Sequence, residues 1–190
     1  MTGRTAGEGG LGAAEREFLL SRIRDIPDWP QPGVTFKDIT PLLLDHDAFA
    51  KVVSALAATG RDEAGVRRVD TVVGIEARGF ILAAPVAHVL GAGFVPVRKV
   101  GKLPYRTRSA SFALEYGEAT IEVHRDAFRP GDKVLVVDDV LATGGTVEAT
   151  VGLVQQGGGR VVAVSVLMEL MFLAGRSRLT DVELYPLLQV

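Results

Sequence analysis

The chain has 190 residues, 47% of them hydrophobic, no cysteine, and a formal net charge of −2. That length and apolar content fit one domain with a substantial core, and the missing cysteine excludes disulfides, thiolate metal centres and a cysteine nucleophile. A charge so near zero gives no general pull toward nucleic acid or an anionic membrane.

In chain order, residues 1–12 are glycine-rich and polar, the composition of a disordered extension, with no apolar core of a secretory signal. A helix is expected over Ala13–Arg24, where Phe18, Leu19 and Ile23 share a face. Pro27, Pro30 and Pro32 keep Asp25–Gly33 extended. Asp47 is the expected cap of a helix running to Thr59. Asp45-x-Asp47 reads as a turn and cap, not as a metal site. Val69–Ile75 reads as a buried strand.

Gly79–Val97 has His88 as its one strongly polar side chain, but Gly91 and Gly93 divide it. It therefore reads as a buried helix over Phe80–Leu90 and a strand over Phe94–Val97, not as a membrane span. Gly101–Ser111, with Lys102, Arg106 and Arg108, is expected to be a mobile loop. Phe112–Tyr116 and Thr120–His124 form a hairpin around Gly117. Val134–Val137 is a buried strand, Val147–Gln156 a helix stopped by Gly157–Gly159, and Val161–Leu167 another strand. Strands alternating with helices give an α/β class, a mostly parallel sheet with helices on both faces. His46, His88 and His124 stand apart in sequence, and no role follows for them.

The densest chemistry is Val134-Leu135-Val136-Val137-Asp138-Asp139-Val140-Leu141-Ala142-Thr143-Gly144-Gly145-Thr146. In open α/β sheets, ligands bind outside the carboxyl ends of the strands. A glycine-rich turn there, opening a helix, faces backbone N–H groups toward an anion. The chain lacks Gly-x-x-x-x-Gly-Lys-Ser/Thr, so the turn suits a single phosphate, with Thr143 and Thr146 as hydroxyl donors. Asp138 and Asp139 would repel a phosphate at contact, but suit sugar hydroxyls or a nearby divalent cation. Phosphate, ribose and cation together point to a 5-phosphoribosyl group.

This run resembles the phosphoribosyl-diphosphate motif of the type I phosphoribosyltransferases. Gly74-Ile75-Glu76-Ala77-Arg78-Gly79-Phe80 is similar to the adenine-specific members of that family. So are Arg98-Lys99 with Gly101-Lys102-Leu103-Pro104, Leu114-Glu115-Tyr116-Gly117, and Pro32-Gly33-Val34-Thr35-Phe36-Lys37-Asp38-Ile39-Thr40-Pro41. The resemblance runs from Ile23 to the C-terminus. It implies that fold, with a small N-terminal hood over residues 13–41 and a core over 42–190. The implied reaction is adenine with phosphoribosyl diphosphate giving AMP and pyrophosphate, in a cytoplasmic homodimer that uses Mg²⁺.

The resemblance also implies roles. Arg78, Lys99 and Lys102 meet pyrophosphate, where negative charge develops as the C1–O bond breaks. Asp138 and Asp139 hold ribose and Mg²⁺, an ion that keeps mostly substrate oxygens and water and needs no dedicated protein cage. The 5′-phosphate lies on Ala142, Thr143, Gly144, Gly145 and Thr146. Glu115 carries a proton at the ring edge of adenine, and Tyr116 lies beside the sugar. Phe36 stacks on the purine, main-chain groups of Thr35 and Lys37 read its edge, and Val140 closes the other face. Read without the family, Phe36 is a core aromatic, and Glu115 is equally a strand-surface acid.

Two positions depart from the family pattern: Ala83 stands where glycine is common, and Phe112 where Tyr is common. Neither touches the acids, the cations or Glu115. A related enzyme acting on xanthine or hypoxanthine is the nearest alternative. A sensor of phosphoribosyl diphosphate on the same fold would carry a nucleic-acid-binding module or a basic face.

Overall fold

The computed structural model describes residues 10–113 and 118–190. It contains five α-helices and nine strands among those residues: α1 Ala13–Leu20, β1 Arg24–Ile26, β2 Phe36–Asp38, α2 Thr40–Leu44, α3 His46–Ala58, β3 Thr71–Ile75, α4 Arg78–Leu90, β4 Gly93–Lys99, β5 Thr107–Ala113, β6 Glu118–His124, β7 Lys133–Leu141, α5 Gly145–Gln156, β8 Arg160–Glu169 and β9 Leu184–Gln189. Two short 3-10 turns, Met171–Leu173 and Gly175–Arg178, lie between β8 and β9.

Seven strands form one sheet in the order β5-β6-β4-β3-β7-β8-β9. The β4–β3–β7–β8–β9 portion is parallel. β6 joins β4 antiparallel, and β5 joins β6 antiparallel. β1 and β2 make a separate two-stranded antiparallel sheet inside the segment expected as the hood. Fully buried valine-rich runs explain the parallel strands, since helices cover both sheet faces. Leu42, Leu56, Leu82, Val86 and Leu135 pack on one face; Val73, Val136, Leu153, Val154 and Val164 pack on the other.

The structure corrects several expectations. Leu11 is buried and Gly12 caps α1, its N–H donating to Glu15 Oε2 at 2.9 Å, so these two residues of the segment expected to be disordered are packed into the fold. α1 stops at Leu20, because the chain must turn to enter β1. The cap of α3 is Asp45, not Asp47: Asp45 Oδ1 accepts from the N–H groups of Asp47 and Ala48, both at 3.1 Å. Residues Thr107–Ser111 are strand, not loop, because pairing with β6 satisfies a polar backbone that could not have been buried alone. His88 lies on the exposed side of α4.

Ala83 is explained by its neighbour. A methyl group at Gly74 would come within 2.7 Å of the Ala83 Cβ, so a glycine in β3 makes room for alanine in α4. Phe112 is half-buried against the second core cluster. No helix among the described residues is long and apolar enough to cross a membrane.

Candidate active site

β3 and β7 are neighbours, but their connections part: β3 runs through α4 to β4 on one side, and β7 runs through α5 to β8 on the other. This is a topological switch point, where such sheets open a crevice at the strand carboxyl ends. Pairing between β3 and β7 ends at Gly74↔Val137, while β7 continues to Leu141 alongside β8. Asp138 and Asp139 therefore lie within the strand, not after it. On the β3 side, that stretch of β7 faces the crevice instead of a partner strand.

One glycine and one arginine shape this crevice. The Glu76–Ala77 peptide bond is cis, and Arg78 opens α4. Arg78 Nε lies 2.9 Å from Asp139 Oδ2, and Asp139 is buried. A cation at a helix N-terminus is opposed by the helix dipole, and the Asp139 carboxylate offsets that opposition. A methyl group at Gly79 would stand 2.6 Å from Asp138 Oδ1, so this glycine lets the carboxylate lie against the backbone of α4. Asp138 Oδ1 also accepts the N–H of Asp139 at 2.9 Å. Burial, and then the charge of Asp139, push the Asp138 carboxyl well above the usual carboxylate range. Burial also raises Asp139, with Arg78 acting the other way.

The hood reaches the same point. The Arg78 guanidinium carbon lies 4.8 Å from the Phe36 ring centroid, a cation–π arrangement. Arg78 Nη1 donates to the Lys37 carbonyl at 3.4 Å. Trp29 packs edge-on to Phe36, with centroids 4.4 Å apart. Thus Phe36, the Lys37 main chain, Arg78 and Asp139 form one continuous set of contacts. Phe36 is half-buried beside the crevice, not a core aromatic. Thr35 is exposed just before β2, and Val140 packs partly into the main core.

The cationic loop is held by two acids for which sequence reading supplies no role. Glu76 Oε2 accepts from the Lys99 N–H at 2.9 Å and from Arg98 Nε at 3.2 Å, tying the ends of β3 and β4 together. These contacts hold the Glu76 carboxyl below its ordinary value against its partial burial, which acts in the opposite direction. Glu122, buried in β6, accepts the N–H groups of Lys102 and Leu103 at 3.1 and 3.0 Å. Arg98 Nη1 donates to the Lys102 carbonyl at 3.0 Å. The signal available in sequence is an acid two residues before Arg78 and an acid in a strand otherwise apolar at its centre.

After β7, Ala142 and Thr143 lead into Gly144, whose φ of +83° suits glycine, and α5 starts at Gly145. No side chain among the described residues caps this helix, leaving its first N–H groups free of intrahelical partners. Thr143 is exposed and Thr146 half-buried at the same turn. The acids and the glycine turn are thus contiguous, with Arg78 across the crevice from them. Glu115 and Tyr116 lie outside the described residues, and no cluster of three or more metal-ligating His, Asp or Glu occurs among those that are described.

Comparison with known proteins adds to this geometry. A family model described as "Phosphoribosyl transferase domain" matches residues 42–184. A curated adenine phosphoribosyltransferase of Nocardioides sp. is 63% identical over 171 residues, covering 90% of this chain and 92% of its own length. A crystal structure of adenine phosphoribosyltransferase from Rhodothermus marinus superposes with a TM-score of 0.88 at 50% identity, covering 94% of this chain and 100% of its own. The enzyme of that name from Saccharomyces cerevisiae, complexed with an imino-altritol bisphosphate and adenine, superposes with a TM-score of 0.87 at 34% identity, covering 93% of this chain and 99% of its own.

Proposed function

Because the chain belongs to the phosphoribosyl transferase family, we propose that its switch-point crevice transfers the 5-phosphoribosyl group of phosphoribosyl diphosphate to adenine. The products are AMP and pyrophosphate, a purine salvage reaction. The observation that carries this reading is the juxtaposition of Arg78 and Asp139 beside Phe36, next to an uncapped glycine turn.

In this reading the Ala142–Thr146 turn takes the 5′-phosphate through N–H groups and the hydroxyls of Thr143 and Thr146. Asp138 and Asp139 accept from ribose hydroxyls. Arg78 turns from Asp139 toward the pyrophosphate, joined by Lys99 and Lys102, so that cations stand where the leaving group gains charge. Phe36 stacks on adenine once Arg78 has moved, with Val140 on the opposite face. Main-chain groups of Thr35 and Lys37 meet N6 and N1; a 6-oxopurine reverses that donor–acceptor pattern and leaves buried groups unpaired. Glu115 moves the ring proton, and Tyr116 lies beside the sugar.

Mg²⁺ suits this site, since Asp138 and Asp139 are hard oxygen donors placed at the sugar. When bound, it would offset the negative charge of the pyrophosphate.

A homodimer and a cytoplasmic location belong to the same reading. Ile81 and Val89 on α4 are 45% and 46% exposed, and Phe94 at the start of β4 is 39% exposed. β6 pairs with β4 only at Arg98 and Lys99, leaving Gly93–Val97 without a strand on that side among the described residues. Such an apolar face with an open strand edge suits a second copy.

The test is adenine-dependent release of pyrophosphate from phosphoribosyl diphosphate with Mg²⁺. Stoichiometric AMP and pyrophosphate support the reading; binding of phosphoribosyl diphosphate without turnover on any purine overturns it.

A further inference from the structure

The glycine turn after β7 is backed by a second stretch of chain. β8 ends at Glu169, the register partner of Leu141. The chain then makes its two 3-10 turns, joined at Ala174 with φ of +51°. This lays Gly175, itself buried, flat against the phosphate turn. A methyl group at Gly175 would collide with the Ala142 carbonyl oxygen, and would lie 2.9 Å from the Gly144 nitrogen and 3.0 Å from the Thr143 carbonyl carbon. A methyl group at Gly144 would in turn collide with the Gly175 carbonyl. Backbone meets backbone with no side chain between.

Two ion pairs fasten this contact. Arg176 Nε donates to Glu169 Oε1 at 2.7 Å and Nη2 to Oε2 at 2.5 Å, a bidentate pair, and Glu169 is only 1% exposed. Gln189 Nε2, in β9, lies 3.5 Å from the same carboxylate. Arg178 Nη1 donates to Glu148 Oε2, in the first turn of α5, at 3.0 Å. A buried carboxylate is a costly way to gain stability alone, since apolar packing often does as well. Here its partner sits next to the residue that touches the phosphate turn.

We propose that Gly175 and the Glu169–Arg176 pair are positioning residues for the 5′-phosphate. They clamp the Ala142–Gly144 turn in the conformation that presents its N–H groups. The inference rests on reading that turn as the phosphate site. Successive glycines order at a high entropic cost, and a clamp that orders them before the substrate arrives raises affinity without touching it.

The test uses Gly175→Ala, Arg176→Gln and Arg176→Lys in the full chain, with Thr143→Val and Thr146→Val as reporters of the phosphate assignment. Initial rates give KM for both substrates, and inhibition gives Ki for ribose 5-phosphate and for pyrophosphate. Expected for Gly175→Ala and Arg176→Gln is a rise of about tenfold in KM for phosphoribosyl diphosphate and in Ki for ribose 5-phosphate, the scale of one charge-assisted hydrogen bond. KM for adenine and Ki for pyrophosphate should stay within about twofold, and Arg176→Lys should fall between Arg176→Gln and the parent. A uniform change in all four constants, or a loss confined to kcat, overturns the clamp. Clamp variants that match the parent while the threonine variants weaken ribose 5-phosphate overturn the clamp alone. Threonine variants without effect overturn the phosphate assignment itself. Should Gly175→Ala not fold, Arg176→Gln carries the comparison, its side chain being 43% exposed.

Discussion

Arg78 Nε and Asp139 Oδ2 stand 2.9 Å apart across the gap between β3 and β7. One residue opens a helix and the other nears the end of a strand, and they meet where the sheet stops being continuous. The pair neutralises a buried carboxylate and holds a cation at the mouth of the crevice. In the proposed reading a phosphoribosyl diphosphate recruits both partners, one through its pyrophosphate and one through its sugar.

Asp139→Asn removes the proposed acceptor for a ribose hydroxyl and leaves Arg78 without its ion partner. KM for phosphoribosyl diphosphate should rise by about tenfold or more, given about 1.5–3 kcal/mol for a hydrogen bond to a charged group. KM for adenine should change little. Steady-state kinetics with each substrate varied in turn checks this, and unchanged kinetics for the sugar substrate would refute the assignment.

Phe36→Ala removes the face on which adenine is proposed to stack. A stacked base contributes about 1–3 kcal/mol, so KM for adenine should rise on the order of tenfold to a hundredfold. Phe36→Tyr should restore most of it. A variant that loses affinity for phosphoribosyl diphosphate instead would show that the ring serves mainly to hold Arg78.

Glu115→Gln keeps size and removes the group proposed to carry the ring proton. Turnover should fall by about a hundredfold or more, within the range of general acid–base catalysis, with both KM values nearly unchanged. An unaltered kcat in initial-rate measurements would take Glu115 out of this role.

Gly79→Ala places a methyl 2.6 Å from Asp138 Oδ1. The carboxylate must move, so thermal unfolding should show a loss of about 1–3 kcal/mol, as for overpacking. KM for phosphoribosyl diphosphate should rise with it. Parent-like stability and kinetics would mean that Asp138 is free to swing away.

The Glu169–Arg176 pair has a pH signature. The Arg176 hydrogen bond, against the desolvation of Glu169, holds this carboxyl below its ordinary value of 4.5. A depressed folded-state pKa contributes stability that is complete above the unfolded value and is lost as pH falls through the folded one. Denaturant unfolding should therefore show the parent more stable than Glu169→Gln at neutral pH. The gap should narrow once pH drops below about 4.5. A gap independent of pH across that range would assign the effect to packing.

Local pattern carries much of this fold. Val134–Val137 reads as buried strand because four apolar residues in a row suit a parallel sheet, and Gly157–Gly159 reads as a helix stop. The continuation of β7 through Asp138 and Asp139 does not read from sequence, since it depends on pairing with Val166 and Met168 in β8. Arg106 and Arg108 mark a solvated loop by composition; only the long-range partner β6 makes Thr107–Ala113 a strand. β9 is masked by Pro186, which an edge strand tolerates. At the site, the acids and the glycine turn are contiguous and therefore visible. Glu76, Glu122 and Gly175 act on groups far away in sequence, so local pattern shows the two acids but not their partners, and does not mark Gly175 at all.

The most direct measurement offers the purified chain phosphoribosyl diphosphate, Mg²⁺ and an equimolar mixture of adenine, hypoxanthine, guanine and xanthine, and identifies the nucleotides formed. AMP as the sole early product is the expected result, if the proposed main-chain groups at Thr35 and Lys37 match the adenine edge. IMP, GMP or XMP forming at a rate comparable to AMP would contradict it.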